Sequence, residues 1–156
     1  MNFEIPLPLR REHEELHDRL RNATQAGGEV GEAAKALARL MHPHFVKEDE
    51  FALPALGLLQ QLAQGRVTRE MAGALAMTDR LAAELPTMLA EHKVIVAALA
   101  RLQDAARRAG RADIVEFTEA LTLHAQTEEQ VMYPAALLVG RYVRERLGQA
   151  ATAIAA

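Results

Sequence analysis

Two stretches of this chain are copies of each other. HFVKEDEFALPAL at 44–56 and HAQTEEQVMYPAA at 124–136 align at an offset of 80, with His44 over His124, Glu48 over Glu128, Pro54 over Pro134 and Ala55 over Ala135. A second register, offset by 79, sets Glu12–His13 over Glu91–His92 and Leu20 over Leu99. A repeat of this kind cannot bury its apolar face alone, so the two copies must pack together. Ala, Leu, Glu, Arg and Gln dominate, aromatic residues are 4%, and no long stretch alternates apolar with polar, so each copy is helical. Proline and glycine cut the chain into four helical segments. They run from Leu9 to about Ala23, from Glu32 to Gln60 past Pro43 and Pro54, from Thr68 to Ala109 with a bend at Pro86, and from Arg111 to Leu147 with a break at Pro134. Gly110 after Arg107 and Arg108 predicts a helix stop. The expected fold is all-α: an antiparallel up-down four-helix bundle with two-fold internal repeat and kinked long helices, forming a single domain over residues 1–156.

Composition narrows the function. Eighteen basic against 21 acidic residues give a net charge of −3, which argues against a nucleic-acid interface. The longest apolar run, Val94 to Ala100, is far short of the ~20 residues a membrane span needs. The N-terminal MNFEIPLPLRREHEEL lacks the apolar centre of a secretion signal. The chain has no cysteine, so thiolate metal sites and disulfides are excluded. A cytoplasmic protein is expected. Its metal chemistry must come from six histidines and 21 carboxylates.

The second segment carries an apolar stripe, Ala34, Leu37, Met41, His44, Glu48, Phe51, Ala55. Its steps of three and four mark a face turned into a core. The fourth repeats it as Ile114, Phe117, Leu121, His124, Glu128, Val131, Ala135. Each stripe is apolar except for one His and one Glu four residues apart, which share a helix face. Two buried carboxylates facing each other are costly unless cations lie between them. His92 falls on the stripe Leu81, Leu85, Met88, His92, Ile95, Leu99, and His13 on Leu9, His13, Leu16, Leu20, with His17 one turn on. Imidazole and carboxylate donors without sulfur suit iron or manganese, and zinc and copper also accept imidazole. His42, two residues before His44, points to another face and stays outside the expected ligand set. Asp49, Glu129, Glu12 and Glu91 are expected to be solvent-facing acids rather than partners of ligand imidazoles. Tyr133 is expected to pack at the boundary of the site helix.

The ordered set His13, His44-x₃-Glu48, His92, His124-x₃-Glu128, with proline ten residues after His44 and His124, resembles the hemerythrin-like (HHE cation-binding) domain. The resemblance runs from Leu9 to about Leu147. It implies a four-helix bundle holding two iron ions in a non-haem di-iron centre, bridged by Glu48, Glu128 and an oxo or hydroxo group, with manganese or zinc as substitutes. It also implies binding of dioxygen or a related small diatomic, or of iron, for sensing, storage or protection. Relatives that carry dioxygen have His-x₃-His on the third helix, where this chain has His92 and Val96. Here the pair stands on the first helix as His13-x₃-His17, so His17 is the expected fifth imidazole. The alternative is a di-iron redox enzyme reducing peroxide, oxygen or nitric oxide. A sensing role would require a separate protein partner.

Overall fold

The computed structural model describes residues 2–155, with side-chain surroundings through residue 150. All regular structure among the described residues is helical: α1 (Leu7–Thr24), α2 (Gly28–Lys47), the short α3 (Leu59–Ala63), α4 (Ala74–Arg108), α5 (Ala112–Thr127) and α6 (Tyr133–Ala155). Among the described residues no helix is long and apolar enough to cross a membrane.

The chain divides into two compact units. The first comprises Leu7–Val46 and Pro86–Glu128, and the second Met1–Pro6, Lys47–Leu85 and Glu129–Ala156. In the first unit four helices share one core. Leu16 and Leu20 come from α1, Ala34, Leu37 and Met41 from α2, Ile95, Leu99 and Leu102 from α4, and Phe117 and Leu121 from α5. The spacings of three and four along each helix are those of the stripes, which is why the four faces meet. Gly110 ends α4 as expected: at φ 68° it allows its own N–H to reach Arg107 O and that of Arg111 to reach Ala106 O, a Schellman closure.

The second unit packs Ala55, Leu58, Leu62, Met71, Ala74, Val139 and Val143 together. Thr68 has the extended backbone of a helix cap without a side-chain cap bond, and a 3₁₀ turn, Arg69–Gly73, precedes α4. Pro86 lies inside α4, which stays helical from Ala74 to Arg108, and Pro43 lies inside α2.

Pro54 and Pro134 produce a departure from the expected periodicity. A π-helical turn begins at each repeated glutamate, Glu48–Ala52 before Pro54 and Glu128–Met132 before Pro134. In the first, Leu53 N–H reaches back five residues to Glu48 O at 3.0 Å. Proline lacks an N–H and its ring clashes with the carbonyl four residues earlier, so the ladder widens by one residue just ahead of it. The extra residue rotates the downstream helix by about 100°. The fourth-segment stripe therefore fails after Glu128. Val131 is 58% exposed, whereas Met132, Tyr133, Ala136, Val139 and Val143 are buried.

Close approach is demanded at Gly57, Gly73 and Gly140 of the second unit; a Cβ on Gly140 would lie 2.7 Å from Thr78 Cβ and closer still to Thr78 Oγ1. Gly140→Ala should lower unfolding free energy by about 1–3 kcal/mol by overpacking. Thermal and urea unfolding of the variant against the parent would measure it, and unchanged stability would show that α6 moves aside freely.

Candidate metal centre

The first unit brings three imidazoles onto one carboxylate and a fourth against one of them. His13 from α1, His44 from α2, His92 from α4 and His124 from α5 are all buried, and so is Glu128 at the end of α5. Glu128 Oε1 lies 2.6 Å from His124 Nε2 and 3.4 Å from His13 Nε2. Its other oxygen, Oε2, lies 3.3 Å from His92 Nε2, and His92 Nε2 lies 2.8 Å from His44 Nε2. One carboxylate thus straddles two imidazole pairs, His13 with His124 and His44 with His92. In each pair the two Nε2 atoms and the facing Glu128 oxygen fall within 4.8 Å of one another, the span of a metal-ligand set.

Each side chain arrives there for a local reason. His13 is three residues before Leu16 and seven before Leu20 on the buried face of α1. His44 and His124 continue the buried lines of Leu37–Met41 and Phe117–Leu121. Burial would push the Glu128 carboxyl up, but hydrogen bonds from His124, His13 and His92 outweigh it and hold the group well below the usual carboxylate range. Glu128 is therefore an anion in a dry setting.

The outward ring nitrogens are also engaged. Glu91 Oε2 lies 2.7 Å from His44 Nδ1, and Glu12 Oε1 lies 3.3 Å from His124 Nδ1. At His44 the carboxylate accepts from Nδ1–H, which favours the tautomer whose Nε2 lone pair can serve a metal. Once the Nε2 protons that now face Glu128 are given up, imidazole lone pairs and two carboxylate oxygens converge on one small volume. Such a donor set repels itself unless positive charge lies within it, and the residues fit a metal site on that ground. The expectation that these acids merely face solvent is corrected for Glu91, which is half-buried and bonded to His44; Glu12 stays exposed, at ion-pair distance from His124. The signal is present in the repeated Glu–His pair at offset 79, but the pairing crosses the repeat: Glu12 reaches His124 and Glu91 reaches His44.

Glu48 belongs to the second unit, where it is fully buried. It opens the first π turn as Glu128 opens the second. Tyr133 donates a short hydrogen bond to Glu48 Oε1. Tyr133 is itself fully buried, against the expectation of a boundary position, because the π turn rotates it inward. Its repeat counterpart, Leu53, has no hydroxyl. His17 is half-buried with its ring 4.0 Å from that of Phe45, and it falls outside both donor groups. His42, Asp49 and Glu129 are exposed, and Val96 is 40% exposed.

If Glu91 fixes the His44 tautomer, Glu91→Gln should weaken metal retention about 10- to 100-fold, with helix content unchanged. Competition against a chelator of known affinity would read the loss, and parental retention would show that the contact is incidental.

A family model for the hemerythrin HHE cation binding domain matches residues 8–136 and, in a second match, residues 83–152. No curated protein and no solved structure matches the chain. The second match begins within α4 and takes in the second copy of the His-x₃-Glu motif, in keeping with the repeat. Matches that together span almost the whole chain establish what the buried imidazoles suggest: this protein belongs to the hemerythrin HHE cation-binding family.

Proposed function

We propose that the chain is a non-haem di-iron protein that binds dioxygen or a related small diatomic, as a sensor, store or scavenger. The observation that carries this reading is the straddling carboxylate: each oxygen of Glu128 faces its own imidazole pair. One ion would take His13 and His124, the other His44 and His92, and Glu128 would bridge them. Glu48 is the proposed second bridge, because it repeats Glu128 in sequence and in local backbone, one turn after His44 as Glu128 is after His124. His17, one turn after His13, is the proposed fifth imidazole, and its position against Phe45 makes it the ligand that can come and go. The scaffold proposed for this site is one domain, an antiparallel up-down four-helix bundle. The cysteine-free composition suits the cytoplasm.

Bound iron would supply a redox-active Lewis acid with room for a small ligand. The chain's own part is to hold and shield. Glu91 fixes the His44 ring, Glu12 stands at ion-pair distance from His124, and Tyr133 restrains Glu48. Phe45, buried against the His13 ring at 5.1 Å, keeps water from that side. Imidazole donors outnumber carboxylates, unlike the Glu-x-x-His pattern of ferritin-like proteins, which favours ligand binding over iron mineralisation.

Iron loading should give about two ions per chain. Glu128→Ala, which removes the acceptor of both pairs, should lose at least one of them. Elemental analysis with native helix content tests this, and fewer than one ion per wild-type chain would refute the centre. The optical spectrum of the anaerobically reduced, iron-loaded protein should gain a ligand-to-metal band in air and lose it on removing oxygen. A one-way oxidation would point instead to a redox enzyme.

A further inference from the structure

The first unit has two clefts that the internal repeat makes counterparts. One, of about 230 Å³, is lined by His17, Arg21, Thr24 and His42 among others. The other, of about 360 Å³, includes Val96, Ala100, Gln103 and Thr122. With the offset of 79 between α1 and α4 and of 80 between α2 and α5, these residues correspond one to one: His17 to Val96, Arg21 to Ala100, Thr24 to Gln103 and His42 to Thr122. The copies keep their place in the fold and differ in chemistry. The first presents two imidazoles. The second presents none, and its Thr118 and Thr122 hydroxyls are turned onto the carbonyls of Val115 and Thr118.

The way inward differs too. Phe45 stands where the second copy has Ala125. Its ring lies 4.0 Å from His17 and 5.1 Å from His13, and His13 lies 4.9 Å from His124. An unbroken run of rings therefore leads from the first cleft to the metal ligands.

We propose that His17 and His42 form an uptake site for divalent transition-metal ions, from which an ion reaches the buried centre past Phe45. This rests on the di-metal reading above. The imidazoles of the centre are 2–5% exposed, so a hydrated ion cannot meet them directly and must exchange its water in stages. Exposed His42 offers a first imidazole donor and half-buried His17 a second, and imidazole is a good ligand for zinc, copper, iron and nickel. The cleft's own cation, Arg21, is paired with Asp18 at 3.1 Å, which offsets its repulsion of an incoming dication. Thr24 is bonded to the Arg21 carbonyl and does not compete. A swing of the His17 ring off the Phe45 face would hand the ion to His13, one turn away on the same helix.

The test uses the full chain in two states. With the centre loaded through His13, His44, His92 and His124 and the His17 ring on Phe45, as it lies here, equilibrium dialysis against Zn²⁺ should reveal one further, weakly held ion. With the chain metal-free, Co²⁺ uptake can be followed by its visible bands. His42→Ala should abolish the extra zinc and slow cobalt uptake severalfold, while the content of tightly held metal stays at the wild-type value. Val96→His combined with Thr122→His should install a second weak zinc site in the counterpart cleft. A loaded chain that takes no extra zinc, or a His42→Ala variant that keeps both the ion and the rate, overturns the proposal. Loss of the ion with an unchanged rate overturns it as well, since the cleft would then lead nowhere. A wild-type chain holding less than one tight ion would instead bring down the centre itself, whatever happens at the cleft.

Discussion

An ionised carboxylate removed from water is stabilised only by what surrounds it, and Glu128 is surrounded by imidazoles from three helices. His124 lies on the same helix, His13 and His92 come from α1 and α4, and His44 from α2 reaches the group through His92. All four helices of the first unit are thus tied to one anion. Their apolar stripes could slide past one another by a turn and still bury leucine against leucine. They cannot slide and keep three Nε2 atoms on two oxygens with the fourth on His92. The polar centre sets the register that the apolar core leaves open, as buried polar groups do where they specify one arrangement among several.

The π turns place that centre along the helices. Each begins at the glutamate of a His-x₃-Glu motif and ends just before a proline. Up to the glutamate the helix keeps ordinary α spacing, which holds His and Glu on one face. Beyond it the widened turn changes which residues face inward, and in the second copy it brings Tyr133 into the interior. The proline ten residues after the histidine is therefore tied to the site through the backbone. It fixes where the α spacing must give way, and so where the metal-binding face stops.

Much of this is legible in the residues alone, because helical periodicity and motif spacing are local properties. His13, His44, His92, His124 and Glu128 stand together as their stripes imply, and the Gly110 stop is where arginine followed by glycine puts it. The misses share one physical cause. A proline announces that the α ladder must break, but not whether the chain kinks, stops or widens by one residue, so unbroken periodicity puts Val131 on the wrong side and Tyr133 at the edge. Glu12 and Glu91 are visible as a repeated pair with their histidines. Which ring each carboxylate reaches depends on the approach of a different helix, and chain spacing carries no information about that. His17 illustrates the same limit: one turn after His13 it shares that residue's face, yet its ring lies on Phe45.

The central claim is that cations hold this donor set together, and calorimetry of the protein before and after metal removal tests it most directly. Ions that bind the folded chain and not the unfolded one raise its stability in proportion to the logarithm of their free concentration over the dissociation constant. The metal-free protein should therefore melt well below the iron-loaded one, and its midpoint should climb back as iron or zinc is returned. Equal midpoints with and without metal would mean that the imidazoles and Glu128 satisfy one another unaided, and would contradict the account.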